Sequence, residues 1–249
     1  MKQGFLMPVY RHGKTAGLLA EKLSVFNLPV IMIDDGNDQE TKERLEEWAA
    51  KIAVIDLVRL EKNSGKGGAV IRGLERAAEL GLTHVLQIDA DGQHDIKRAA
   101  FFLEEAAKYP QNMICGYPEF DRAAPKSRVQ GRKISTFWAA VVTLSGALKD
   151  VLCGFRVYPV EKAVRIARNP FLDRRMGFDP EIMVRLYWNR VFPVFYPVKV
   201  SYPEDGISNF HSVKDNVRIS LMFSRLFAGM FLRLPYLLAV GILRRKNAP

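Results

Sequence analysis

Five short runs rich in Val, Ile and Leu constrain this chain more than anything else in it: Phe5–Val9, Val30–Ile33, Ala53–Leu60, His84–Ile88 and Met113–Cys115. Between them lie segments with helical spacing, such as Leu18/Leu19/Leu23, Leu45/Trp48 and Ile96/Ala99/Leu103/Ala106. Runs this short and this continuously apolar read as strands buried on both faces, and the intervening helices are the crossovers a parallel pair requires. The pattern predicts an α/β fold: a mostly parallel twisted sheet with flanking helices. A length of 249 residues, 48% of them hydrophobic, is enough for a full core. The spacing predicts a body over residues 1–205 and a separate tail over 206–249.

Right-handed crossovers place the C-terminal ends of parallel strands on one edge, where α/β proteins bind ligands. That edge collects the unusual residues. Pro8 and Tyr10 follow the first strand, Asp34-Asp35-Gly36-Asn37 the second, Asn63-Ser64-Gly65-Lys66-Gly67-Gly68 the third, and Asp89-Ala90-Asp91-Gly92-Gln93-His94 the fourth. Each cluster alone is compatible with turn chemistry; four in succession point to a ligand site.

The sharpest chemical signal is Asp89-Ala90-Asp91. In extended geometry two carboxylates one residue apart point to the same side, so both reach one hard cation, and Gln93 adds a neutral oxygen. An all-oxygen set favours Mg²⁺ or Mn²⁺, ions that keep positions open for phosphates. The competing reading makes Asp91-Gly92 a turn and Asp89 a helix cap. Asn63 to Ala69 is not a P-loop, since that motif needs a glycine at Leu60 and a hydroxyl at Gly67, and no G-x-G-x-x-G opens the first helix. Gly65, Gly67 and Gly68 still let backbone N–H groups approach a phosphate, with Lys66 as a point charge. Further on, Gly154-Phe155-Arg156 supplies an arginine. Asp179-Pro180-Glu181 places two acids in a helical first turn, either complementing the helix dipole or removing a proton from an acceptor hydroxyl.

The ordered set Pro-x-Tyr, Asp-Asp-Gly, Asn-x-Gly-Lys-Gly-Gly-Ala, Asp-x-Asp-Gly-Gln-His, Gly-Phe-Arg and Phe-Asp-x-Glu-Ile resembles family 2 glycosyltransferases of GT-A fold over roughly residues 3–202. The nearest subgroup in this likeness is the dolichyl- and polyprenyl-phosphate sugar transferases and their bacterial relatives. The resemblance implies that Pro8, Tyr10 and Asp35 hold the donor's base and ribose. It implies that Asp89, Asp91 and Gln93 hold a metal on its diphosphate. Lys66 then lies in the donor pocket and Arg156 near the diphosphate or the acceptor phosphate. Arg11 stands where the family often has Asn, and Gly92 where the polyprenyl-phosphate enzymes often have Leu. A basic run, Arg122, Lys126, Arg128, Arg132 and Lys133, falls where the family's acceptor approaches, which makes Arg128 and Arg132 the acceptor-binding candidates.

The charge balance bears on partners. Lys and Arg number 37 against 27 Asp and Glu, a net charge of +10. Six of the ten excess charges lie beyond Asp215, at Arg218, Arg225, Arg233, Arg244, Arg245 and Lys246, with no acid among them. At 100° per residue Asp215, Arg218, Arg225, Gly229 and Arg233 fall within a sector of about 80°, with apolar residues elsewhere. A basic stripe beside a broad apolar face fits a helix lying in an anionic leaflet. Leu234 to Leu243 is too short to span a bilayer, which needs about 20 apolar residues. The basic residues do not interleave with aromatics along the body, which argues against nucleic acid. Two cysteines, Cys115 and Cys153, make no disulfide scaffold or zinc site, and no signal-peptide pattern opens the chain.

The expectation is therefore an inverting, metal-dependent enzyme moving a sugar from a UDP- or GDP-sugar to a lipid or lipid-phosphate acceptor at the cytoplasmic face of a membrane. The rivals are a nucleotidyltransferase on a similar sheet, and a non-catalytic membrane-surface module.

Overall fold

The first strand explains the layering. In β1 (Gln3–Val9), Phe5, Met7 and Val9 enter one apolar cluster while Leu6 enters another on the opposite face of the sheet. β2 (Val30–Asp34) is buried along its whole length and splits in the same way, Met32 to one side and Ile31 and Ile33 to the other. Both faces of the sheet are therefore covered, which is why these strands read as continuous apolar runs. The computed structural model describes residues 1–120, 126–201 and 212–239.

With β3 (Ile55–Arg59), β4 (His84–Gln87), β5 (Met113–Phe120), β6 (Arg156–Pro159) and β7 (Pro193–Val200), the strands form one seven-stranded sheet in the order β3-β2-β1-β4-β6-β5-β7. Every neighbouring pair is parallel except those of β6, which runs antiparallel to both β4 and β5. The five apolar runs are β1 to β5. The sequence reading did not identify β6 or β7. β6 has only four residues, and β7 carries Pro193 and Pro197, which are tolerated because it lies at the sheet edge.

On one face lie α1 (Gly13–Ser24) and α4 (Ala99–Lys108), with Leu19, Leu23 and Phe102 in the core beneath them. α2 (Gln39–Lys51) opens on Asp38, whose carboxylate accepts from the Thr41 N–H at 2.9 Å and so satisfies one of the first turn's free donors. The other face is covered by α3 (Lys66–Glu79), α5 (Lys126–Thr143), α6 (Val160–Ala167), α7 (Phe178–Trp188) and α8 (Ser212–Leu232).

α8 lies in the expected basic tail and packs on the body. Met222, Phe223, Leu226 and Met230, and Leu237 just beyond them, belong to the same apolar cluster as the sheet. Burying five such side chains removes on the order of 10 kcal/mol of apolar surface free energy from water, so this helix is part of the fold. The polar stripe runs along the border of the packed face: Asp215 is buried, Arg218 lies 3.8 Å from Asp173 and Arg225, still exposed, 3.6 Å from Glu181. Arg233 stacks over the Trp188 ring at 5.0 Å, and the Tyr236 hydroxyl donates to the Trp188 carbonyl at 2.8 Å. The reason is charge complementarity, because the carboxylates that receive the stripe come from α7 and the loop before it. The outward side is apolar instead, with Val217, Leu221, Phe231 and Leu232 exposed. Among the described residues no helix is long and apolar enough to cross a membrane. The expected boundary at 205/206 lies outside the described residues.

Candidate active site

The C-terminal ends of β1, β2 and β4 open into a cavity of 1520 Å³ whose far wall is made by α5 and α8. Pro8, Tyr10, Asp35, Lys66, Asp89, Asp91 and Gln93, all picked out from the sequence, line it together.

The strand ends are locked before they meet a ligand. Past β1 the chain turns at Arg11, which has a φ of 66°. The Arg11 N–H donates to Asn37 Oδ1 at 2.6 Å, while the Asn37 side-chain amide donates to the Val9 carbonyl at 2.9 Å and to Asp34 Oδ1 at 2.7 Å. Asn37 thus ties the ends of β1 and β2 together, and it leaves Tyr10 in the cavity wall. Asp35 organises the next loop. Its Oδ1 accepts from the Ser64 N–H and hydroxyl, each at 2.7 Å, and its Oδ2 from the Gly65 N–H and the Asn63 amide, each at 3.0 Å. Burial pushes this carboxyl above its ordinary range, and those hydrogen bonds only partly offset the rise. Gly65 has a φ of +85°, and a Cβ there would lie 2.8 Å from the Arg174 carbonyl, so the position admits only glycine without strain.

α3 begins one residue later, at Lys66, and delivers the central ion pairs. Lys66 Nζ lies 2.8 Å from Asp89 Oδ2 and 2.7 Å from Asp179 Oδ2. Burial works against both charged partners. The surrounding carboxylates nevertheless raise Lys66 above its ordinary value, and the ammonium holds Asp89 down to about 2. Asp91 is half-buried and accepts the Gln93 N–H at 3.0 Å. A Cβ on Gly154 would stand 2.5 Å from Asp89 Oδ2, so the backbone cradles this carboxylate closely.

The two acids of α7 separate. Asp179 lines the cavity, with Oδ1 buried and without a hydrogen-bond partner. Glu181, expected as the alternative proton acceptor, is fully buried and lines no part of the cavity. It accepts from Arg185 at 2.8 and 2.6 Å and from the Asp173 N–H at 2.8 Å, and so ties the loop before α7 to the helix. Two residues along a helix is a rotation of about 200°, so a shared first turn does not mean a shared face.

Arg156 also differs from expectation. It is fully buried and does not line the cavity. Because β6 is inserted antiparallel, Arg156 begins it opposite Gln87, and its guanidinium folds under α7. There it donates to the carbonyls of Asp179 and Val151, each at 2.7 Å, behind the Asp179 carboxylate, 4.0 Å from its Oδ1. His94, the last residue of the fourth cluster, lies 3.6 Å from Cys153 Sγ and does not line the cavity.

Of the acceptor candidates, Arg132 lines the cavity with its Nη1 3.0 Å from both Asp150 oxygens. The Arg128 side chain and Arg122 lie outside the described residues. The sequence reading missed the far end of the cavity, where Lys214 and Arg218 of α8 line the wall with Trp138, Phe223 and Phe227, and it missed Arg175, which donates to Asn63 Oδ1 at 3.2 Å beside the Asp35 loop. Arg174-Arg175 just upstream of Phe178-Asp179 was a signal that went unused.

The donor set fits a hard divalent cation. Asp89, Asp91 and Gln93 offer oxygen ligands, and among the described residues no group of three or more His, Cys, Asp or Glu is placed to hold a metal ion by itself. Such an incomplete oxygen set suits an ion that completes its shell with phosphate and water.

The fold is that of the GT-A transferases. A solved structure titled glucosyl-3-phosphoglycerate synthase from Mycobacterium tuberculosis, in complex with Mn²⁺, UDP-glucose and phosphoglyceric acid, superposes with a TM-score of 0.62 at 13% identity. It covers 93% of this chain and 78% of that one, and at that identity the likeness is one of fold. The chain belongs to glycosyl transferase family 2, whose family model matches residues 6–192, and it is a glycosyltransferase. A dolichyl-phosphate beta-glucosyltransferase of Dictyostelium discoideum is 31% identical over 168 residues, 64% of this chain and 50% of that protein. The chain thus spans about half of that relative's length. A UDP-N-acetylglucosamine–dolichyl-phosphate N-acetylglucosaminyltransferase of Methanococcus voltae is 22% identical over 230 residues, 86% of this chain and 91% of the other.

Proposed function

We propose that this protein transfers a sugar, with inversion, from a UDP- or GDP-linked donor to a lipid phosphate held at a membrane surface. The observation that carries the reading is one continuous cavity with the Asp89/Asp91 pair at one end and a cationic, aromatic end between α5 and α8. The names of the relatives, which pair sugars with dolichyl phosphate, support the acceptor class.

In this reading Pro8, Tyr10 and Asp35 receive the nucleoside, with Asp35 acting chiefly through the loop it holds. Asp89, Asp91 and Gln93 hold Mn²⁺ or Mg²⁺, which when bound supplies Lewis-acid stabilisation of the leaving diphosphate. Arg132, Lys214 and Arg218 draw the acceptor phosphate to the other side of the sugar, so that its oxygen attacks the anomeric carbon in line. An ionised phosphate needs no general base, and Glu181 is unavailable as one. Asp179 remains for a hydroxyl acceptor, where it would take the proton.

The attachment we propose is peripheral, on the cytoplasmic face. It relies on the apolar side of α8, Val217, Leu221, Phe231 and Leu232, together with Ile134, Phe137 and Trp138 of α5, all exposed. Trp138 and Phe227 meet edge to face at 6.4 Å, which joins this platform to the cavity mouth. A lipid phosphate would enter there with its chain still among the lipids.

Calorimetric titration of UDP and of GDP, with Mn²⁺ and with EDTA, tests the donor half. Metal-dependent binding of one diphosphate, lost in Asp91→Ala, is the expected result; no binding of either by folded protein overturns it.

A further inference from the structure

Asp89, the residue that would ligate the cation, already has a cation on it. Lys66 Nζ sits 2.8 Å from Asp89 Oδ2 and 2.7 Å from Asp179 Oδ2, and the three side chains are only 19%, 19% and 7% exposed. The lysine is not there by chance of rotamer. Its backbone opens α3 directly after Gly65, and the Gly65 N–H is fixed by Asp35. The same loop is held from the other side by the Gly68 N–H, which donates to the Arg174 carbonyl at 2.8 Å.

A divalent ion bound to Asp89 would place its charge about 2 Å from the carboxylate oxygen, within a few ångströms of the ammonium. In a poorly hydrated site two like charges that close repel strongly. One of them has to yield, and the geometry gives the lysine somewhere to go. Asp179 offers a second carboxylate already in contact, with its Oδ1 buried and unpartnered. A donor diphosphate would add further negative charge on the cavity side. Lys66 can therefore release Asp89 without becoming a buried unpaired cation, provided the phosphates arrive as well.

We propose that Lys66 is an internal counter-cation that blocks Asp89 from taking a divalent ion alone and yields it when the ion arrives with the donor diphosphate, Asp179 serving as its second anchor. This rests on the metal and donor reading given above and adds to it an assigned role for Lys66 and an order of assembly. Lys66 is a positioning residue here: it acts on the metal through Asp89.

The test is Mn²⁺ binding, read from the electron paramagnetic resonance signal of free Mn²⁺, with and without UDP and GDP. Wild type should bind Mn²⁺ weakly alone and well with the favoured diphosphate. Lys66→Met and Lys66→Gln, the second retaining a hydrogen-bonding side chain should the first fail to fold, should bind Mn²⁺ alone roughly tenfold or more tightly than wild type. The enhancement by the diphosphate should shrink accordingly. Arg11→Gln removes an exposed cation from the same cavity wall and should change Mn²⁺ binding by less than about threefold, because solvent screens it. Equal gains in Arg11→Gln and the Lys66 variants would reduce the effect to general field and overturn the proposal. So would wild type that binds Mn²⁺ alone as well as it does with nucleotide, a result that needs no variant. In both cases the diphosphate still binds with metal and the donor reading stands. Absence of Mn²⁺-dependent diphosphate binding in every folded form would instead remove the donor reading itself, and this inference with it.

Discussion

Glu181→Gln separates a buried strut from a proton acceptor. The Glu181 side chain is fully buried and carries three hydrogen bonds, two from Arg185 and one from the Asp173 N–H, with Arg225 at 3.6 Å. Glutamine keeps the volume but removes the charge, and its amide nitrogen cannot accept. Each hydrogen bond to a charged group contributes about 1.5–3 kcal/mol against about 0.5–1.5 for a neutral one. Three such changes, with Arg185 only 15% exposed and left without its counter-charge, come to about 3 kcal/mol. For a chain of this length that lowers Tm by roughly 6–12 °C. Turnover of the folded fraction, measured well below the new Tm, should stay within about threefold of wild type, whereas loss of a general base costs 10²–10⁴-fold. Scanning fluorimetry and an initial-rate assay on one preparation decide between them. An unchanged Tm with turnover down about a hundredfold or more would refute the structural assignment.

Gly154→Ala puts a Cβ 2.5 Å from Asp89 Oδ2, so the carboxylate must shift; Mn²⁺-dependent diphosphate affinity should fall about 10–100-fold, read by calorimetry. Asp89 is half-buried, which by itself raises its pKa, yet Lys66 holds it down to about 2, below the roughly 3.9 of an unfolded chain. A depressed carboxylate contributes stability that is complete above the unfolded value and fades as the pH falls through the folded one. In EDTA, urea unfolding should therefore show wild type losing on the order of 2 kcal/mol relative to Asp89→Asn between about pH 5 and pH 2. A pH-independent difference would contradict the ion pair. Phe137→Ser with Phe231→Ser removes two exposed aromatics from the apolar platform; each costs about 1.5–3 kcal/mol of burial, so vesicle cosedimentation should weaken by roughly a hundredfold or more while Tm is kept.

The parts of the fold that could be read in advance are those where one physical demand dominates. β1, β2 and β4 are buried on both faces, so their apolar runs are unbroken, while the edge strand β3 is only half-buried; the polar clusters that follow all four mark the edge where Tyr10, Asp35, Lys66 and Asp89 meet. β6 and β7 escaped because a four-residue strand has no periodicity to read and because Pro193 and Pro197 argue against any but an edge strand. The α8 stripe was visible, but amphipathicity does not say which face meets protein. That depends on Asp173 and Glu181, which approach Arg218 and Arg225 only in the folded chain. Arg156 was misread for a similar reason: its motif marks the site edge, and only the antiparallel insertion of β6 shows that the side chain turns beneath Asp179 rather than into the cavity.

The most direct test of the account is the reaction. Purified protein on anionic vesicles containing a polyprenyl phosphate should, with Mn²⁺ and a UDP- or GDP-sugar, form a glycosylated lipid and release one nucleoside diphosphate for each sugar transferred. Chelation should abolish both. Pyrophosphate release from a nucleoside triphosphate and a sugar phosphate, with no lipid product from any nucleotide-sugar, would contradict the account and assign this cavity to nucleotidyl transfer.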